Sequence, residues 1–333
     1  MDGAQPMKRA MRSGESRTVV LLLAILALGA LREPRLLSAQ SIESILLWIP
    51  LLTVMAVGQM FVILTKGIDV SVGSILGLAG ILIGMLFRSH PDLNVYLGAA
   101  LGMMIGSALG FINGFLVAWV KIPPIITTLG TLSVFRGIVF FVSHGEQVDS
   151  NAIPPSLTHW ALDGPVRVGG LLIPWLVLFA LAFAALAAVF LGKTVRGRYF
   201  LAVGGNSEAA EQRGLPVQNT VALAYVLSGL CAGLAGVFYA ARYGFVNPGT
   251  AGRGLELTVI AAAVIGGCDI NGGRGTVVGV LLGCVLLGVI NVALAVLGIE
   301  ADWQLLVYGA VILLALIADA SFSARAAAQS EAA

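Results

Sequence analysis

The sequence predicts an all-α, polytopic membrane protein of about ten transmembrane helices in two inverted five-helix repeats. Three observations support this class. Hydrophobic residues make up 58% of the 333-residue chain and charged residues 11%, with a mean hydropathy of +0.97; in soluble globular domains the charged share is about a quarter. Ten apolar runs follow one another, most of them near the roughly 20 residues a helix needs to cross a bilayer. Two short motifs recur five runs apart and in the same order. The 42 glycines fit as well, because helices in lipid approach one another through small residues.

The chain opens on a polar tail, residues 1–17, with Lys8, Arg9, Arg12 and Arg17. Thr18–Leu31 is a short apolar run, and a basic segment before a short apolar one also describes a signal peptide. We read it as a first span, since the later spans already supply targeting. Ser38–Ser44 is a polar link. Further runs cover 42–65, 70–88, 93–120, 123–142, 171–192, 219–241, 255–268, 275–298 and 302–319, so the membrane domain spans 18–319 and a tail, 320–333, follows. The run at 255–268 has the length of a broken or half helix. Loop 143–170, with Pro154-Pro155, Pro165 and Gly169-Gly170, is long for a plain connection and is expected to cover a face or meet a partner.

Ten spans put both termini on one side. Alternate loops give that side Lys8, Arg9, Arg12, Arg17, Lys66, Lys121, Lys193, Arg196, Arg198, Arg213, Arg274 and Arg325. The other side receives Arg32, Arg35, Arg88, Arg167, Arg242 and Arg253, while Arg136 stays within a span and is expected to snorkel outward. Basic loops remain cytoplasmic. Both tails and loop 192–218 are therefore read as cytoplasmic, and loop 143–170 as periplasmic.

Gly192–Pro216 is the longest charge-dense interruption. Gly204-Gly205 are expected to break the backbone there, and Asn206 or Ser207 to cap a short helix with Glu208 in its first turn. Gly214 and Pro216 close it. A short, charged, capped helix between spans is either a solvated loop or a handle for a partner. Its spelling, Glu208-Ala209-Ala210 with Gly214 four residues on, resembles the EAA loop of ATP-binding-cassette importer permeases. That resemblance implies that Gly204, Gly205, Asn206, Glu208, Ala209, Ala210 and Gly214 couple the chain to an ATPase, with Glu208, Ala209, Ala210 and Gly214 seating the short helix in a groove of the ATPase and the alanines small enough to pack closely.

Gly67-Ile68-Asp69-Val70-Ser71-Val72 opens the third run, and Gly254-Leu255-Glu256-Leu257-Thr258-Val259 opens the eighth with matching residue types. Gly110-Phe111-Ile112-Asn113 is echoed by Gly288-Val289-Ile290-Asn291. An odd offset makes the halves run oppositely through the bilayer, the inverted-repeat plan of transporters. Asp69 and Glu256 are then expected to start their helices near opposite faces.

Polar groups at membrane depth are functional candidates. Asp69, Asn113, Glu256 and Asn291 are read as translocation-path or structural polar residues: Asp69 as the ion-pair partner of Lys66 or at the mouth of the path, and Gln59, Asn113 and Asn291 as interhelical hydrogen-bonding groups. Asp269 and Arg274 are placed to pair across a turn. The Gly192-Lys193-Thr194 triplet lacks the earlier glycine of a phosphate-binding loop, position 187 being alanine. Neither a Ser/His/Asp set nor paired catalytic carboxylates occurs. Cys231, Cys268 and Cys284 lack metal spacing and read as reduced packing residues. The chain is therefore expected to have no catalytic residue, no metal and no cofactor, and a net charge of +2 gives no reason for nucleic acid as a partner. Any ATP is hydrolysed by another chain.

From about Ser41 to Asp319 the sequence resembles the permease subunits of ribose-type, carbohydrate-uptake ABC importers. The matching stretches come in order: GIDVSVGS at 67, NGFLVAWVKIPPIITTLGTLSVFRG from Asn113, GRYFLAVGGNSEAA from Gly197, LSGLCAGLAG from Leu227 and GLELTVIAAAVIGGCDINGGRGTVVG from Gly254. The resemblance implies ten helices per subunit in a bacterial inner membrane, contact with membrane lipid, and a dimer with a second permease copy or paralogue. It also implies an ABC ATPase below, a periplasmic sugar-binding protein above, and a monosaccharide, a similar small polyol or autoinducer-2 as cargo; Ile68–Ile75 with Gly84–Leu86 points to the autoinducer-2 branch. The rival is an ion-coupled secondary transporter with inverted repeats, using Asp69 and Glu256 as proton carriers. Such a carrier needs no docking helix.

Overall fold

The computed structural model describes residues 14–299 together with 303, 306, 309, 310 and 313. Most of the expected tail 1–17, the tail 320–333 and most of the run 302–319 lie outside the described residues. Lipid offers no partners for the backbone, so apolar runs satisfy their own N–H and C=O groups as helices. Each run through residue 298 does so. They form α1 (Gly14–Arg32), a 3-10 turn (Pro34–Leu37), α2 (Ala39–Leu64), α3 (Val72–Ser89), α4 (Val95–Ala118) and α5 (Pro124–Ser143). The long link then holds α6 (Pro155–Leu162) and an antiparallel hairpin, β1 (Val166–Val168) and β2 (Leu171–Ile173), with Val166 opposite Ile173. Next come α7 (Trp175–Lys193), α8 (Val195–Gly205), α9 (Ser207–Gln212), α10 (Val217–Tyr243), α11 (Leu255–Ile265) and α12 (Val277–Val296).

Polar side chains set several of these starts. Ser38, Asn94 and Thr276 accept from the backbone N–H groups of Ser41, Tyr96 and Gly279 and so cap α2, α4 and α12. Among the described residues seven helices are long and apolar enough to cross a membrane: α2, α3, α4, α5, α7, α10 and α12. With 11 residues, α11 is the expected short one; at about 1.5 Å per residue it reaches about half the hydrocarbon thickness.

The tightest packing joins α4 to α10. Gly98, Gly102, Gly106, Gly110 and Gly114 recur every fourth residue and so share one buried face of α4. A Cβ on Gly106 would collide with the Gly229 carbonyl and one on Gly110 with the Tyr225 carbonyl, while one on Gly114 would come 2.8 Å from the Ala222 carbonyl. Numbers rise along α4 as they fall along α10, so the two helices are antiparallel and backbone meets backbone. Dispersion at that range holds helices together where lipid removes the hydrophobic drive.

Loops collect at two ends of the bundle. At one end the Leu64 carbonyl accepts from Gly273 N–H at 3.0 Å and the Thr18 hydroxyl donates to the Ile265 carbonyl at 2.6 Å. At the other, Val148 and Val246 exchange backbone hydrogen bonds of 3.0 and 2.9 Å, and Trp160 of α6 packs on Phe238 of α10. Two connections run back into the bundle from these ends. Residues 65–71 return alongside α2 until the Asp69 backbone meets the Gln59 amide. Residues 244–254 descend along α3, with the Ala251 carbonyl 2.9 Å from the place of a Cβ on Gly77 and Gly252 packed on Gly73. The starts of α3 and α11, expected near opposite faces, therefore adjoin: the Glu256 Oε2 is 2.5 Å from where a Cβ on Gly73 would stand.

Candidate functional site

The stretch Gly192–Pro216 forms two short helices where one was expected. Helix α7 runs through Lys193, and the Thr194 hydroxyl accepts from Gly197 N–H at 2.9 Å to start α8. The Gly192-Lys193-Thr194 triplet is thus a helix end and a cap. Phe200 is fully buried, its ring centroid 5.1 Å from Phe61 and 6.2 Å from Phe190, which ties α8 to α2 and α7. Gly204 and Gly205 complete α8 and do not break the backbone. They permit close approach: a Cβ on Gly204 would collide with the Leu64 carbonyl, and one on Gly273 would lie 2.7 Å from Gly205 N. The break falls at Asn206, extended at φ −153°.

Asn206 Oδ1 accepts from Ala209 N–H at 2.9 Å and caps α9, with Glu208 in the first turn, where the helix dipole favours negative charge. Gly214, at φ +75°, closes the helix in the left-handed conformation that glycine adopts without strain. Ala210 is buried against its own chain, 4% exposed, and Ala209 is half-buried. Helix α9 therefore lies with its Ala210 side on the body of the protein. The outward side carries Ser207, Glu208, Glu211, Gln212 and Arg213. It sits at the Leu64 end of the bundle, through the packing of Gly204.

The second constellation surrounds Asp69. One carboxylate oxygen accepts from Ser71 N–H at 2.9 Å and from the Ser71 hydroxyl at 2.6 Å, and the other accepts from Ser228 of α10 at 3.2 Å. Asn113 of α4 donates to the Ser71 hydroxyl at 2.8 Å. The Gln59 amide, oriented to suit both partners, donates to the Asp69 carbonyl and accepts from Asp69 N–H, each at 3.1 Å. Gln59, Asp69, Ser71 and Asn113 are fully buried. The expected pair with Lys66 does not form, because Lys66 turns outward at φ +65° and is exposed. The carboxylate instead pins the start of α3 to α10, while the Asp69 backbone holds it to Gln59 of α2 and the Ser71 hydroxyl to Asn113 of α4. Ser71 is legible in the sequence, since an aspartate bonding two residues onward is a common turn. Ser228, 159 residues away, is not.

Arg136 does not snorkel outward; its Nη1 donates to the Ala251 carbonyl at 2.7 Å. The Glu256 Oε1 accepts from Gly254 N–H at 3.2 Å. Asn291 is half-buried in α12 and is not among the partners of Asp69. Asp269 and Arg274 join through the backbone, Asp269 N–H to Arg274 carbonyl at 2.9 Å, while the Asp269 carboxylate accepts from Asn271.

A family model described as "Branched-chain amino acid transport system / permease component" matches residues 41–316. The chain is 38% identical over 307 residues to the "Autoinducer 2 import system permease protein LsrC" of Escherichia coli O157:H7, covering 91% of this chain and 87% of that one. The protein of the same name from Salmonella typhi is 39% identical over 308 residues, with 91% and 86% covered. That of Photorhabdus luminescens is 37% identical over 307 residues, with 91% and 90% covered. No solved structure matches the chain.

Proposed function

We propose a specific role for this chain, which belongs to the branched-chain amino acid transport system / permease component family and is a permease of a binding-protein-dependent ABC importer. The chain carries autoinducer 2, or a small polyol like it, inward across a bacterial inner membrane. A separate ATPase docks on the outward side of α8–α9 and supplies the energy. One observation carries this reading: a capped, charged helix standing out at one end of an apolar bundle, braced by Gly204 against the Leu64 turn. A solvated loop needs no such brace. The relatives' name, autoinducer 2 import system permease, supports the cargo.

The same reading extends to orientation and partners. The Leu64 end, with loop 192–218, faces the cytoplasm, and we read both termini as cytoplasmic too. The α6–hairpin end faces the periplasm and receives a sugar-binding protein. A second permease, copy or paralogue, completes the path. Two inverted five-helix repeats are supported by the connections 65–71 and 244–254, which enter the bundle from opposite ends. Exchanging the outward charges, Glu211→Arg with Arg213→Glu, tests the docking. The protein should remain in the membrane, the ATPase should no longer co-purify, and uptake should fall. Retention of both would move the docking elsewhere.

A further inference from the structure

Charged groups at membrane depth are costly and persist where they face protein or a water-filled path. A cluster of such groups stands where α5 meets the connection 244–254 that leads into α11. Arg136 of α5 is half-buried, and the Ala251 carbonyl takes one of the five N–H groups that a guanidinium offers. Glu256, in the first turn of α11, bends over Gly73, and Arg253 is exposed just before it. The two side chains meet α3 one turn apart, Glu256 Oε2 over Gly73 and Arg136 Nη1 3.2 Å from where a Cβ on Gly77 would stand. The flank beside them is open: a Cβ on Gly130 or Gly137 of α5 would meet nothing within 4 Å, Ser133 is exposed, and Leu257 of α11 is 53% exposed. The charges therefore border an uncovered side of the chain at the point where the two returning connections meet.

We propose that Arg136, Glu256 and Arg253 form a cargo-contact site on the translocation path, taking a small, neutral, polyhydroxylated molecule by its hydroxyl groups. This rests on the importer reading above and adds where the cargo meets the chain. A hydroxyl donates and accepts at once. A guanidinium beside a carboxylate serves neighbouring hydroxyls in both senses. Two arginines against one glutamate leave a net positive charge, so a cationic cargo is disfavoured, while the Glu256 carboxylate calls for a hydroxyl donor that a bare anion lacks. The guanidinium fork also fixes orientation, which a point charge does not.

The test reconstitutes the permease with its ATPase and binding protein in proteoliposomes and measures autoinducer 2 taken up per ATP hydrolysed. Arg136→Lys keeps the charge and removes the fork. Glu256→Gln removes the charge and keeps an acceptor for Gly254 N–H. In both variants uptake per ATP should fall about tenfold or more, the loss expected on removing a hydrogen bond to a charged group, with hydrolysis within about twofold of wild type. Unchanged uptake per ATP in both overturns the site, as does a parallel loss of hydrolysis and uptake in both, which would make these residues braces of the fold. Should Arg136→Lys fail to assemble, Glu256→Gln alone decides between the same two results. A wild-type assembly that hydrolyses ATP and takes up nothing sinks the importer reading, and the site with it.

Discussion

Two adjacent glycines in α8 have opposite sensitivities. Gly204 lies against the Leu64 carbonyl, whereas a Cβ on Gly205 would meet nothing within 4 Å. Gly204→Ala should therefore destabilise by about 1–3 kcal/mol, the usual penalty of overpacking, and Gly205→Ala should stay within about 0.5 kcal/mol. Thermal unfolding in detergent compares them, and equal effects would contradict the contact. The sequence marks both as glycine and gives no sign of which one touches backbone; for that reason the pair reads as a chain break until the Leu64 carbonyl is seen beside it. Cys268 allows a second prediction at this scale. Burial pushes its thiol up to about 12, so the thiolate fraction at pH 8 is on the order of one in ten thousand. Maleimide should label it only after denaturation; prompt labelling of the native protein at pH 8 would show the site to be open.

At the scale of elements, α9 separates fold from docking. Ala210 faces the chain's own body and Glu211 with Gln212 faces outward. Ala210→Trp should lower thermal stability as well as ATPase retention, because the ring cannot fit a packed contact. Gln212→Trp should leave thermal stability unchanged and weaken ATPase retention alone. Loss of ATPase from Ala210→Trp with unchanged stability would return that residue to the partner's groove. The membrane helices themselves were legible: apolar runs at 42–65, 70–88 and 219–241 became α2, α3 and α10 with ends shifted by a few residues. Local hydropathy suffices for that. The α4–α10 seam was written in five glycines at spacing four, yet its partner, Gly229 and Gly233, is fixed only by three-dimensional packing. The Asp69 network divides in the same way, with Ser71 two residues off and Ser228 on a distant helix.

For the whole molecule, orientation and energy source are what remain to be measured. Single cysteines at Asp149 and Gln212, both exposed, report orientation against a silent background of Cys231, Cys268 and Cys284, all of which are buried. An impermeant reagent on intact cells should label position 149 and spare position 212; the reverse pattern would invert the topology. Asp69 is held by Ser71 and Ser228 in a fully buried setting, which suits a fixed brace better than a proton carrier that must change partners. The energy source decides between the two transporter classes. In proteoliposomes holding the permease, its ATPase and its binding protein, autoinducer 2 uptake should require hydrolysable ATP on the side of α9 and persist when ionophores collapse every ion gradient. Uptake that continues without ATP and stops with the gradient would contradict an ATP-driven importer and make the chain an ion-coupled carrier.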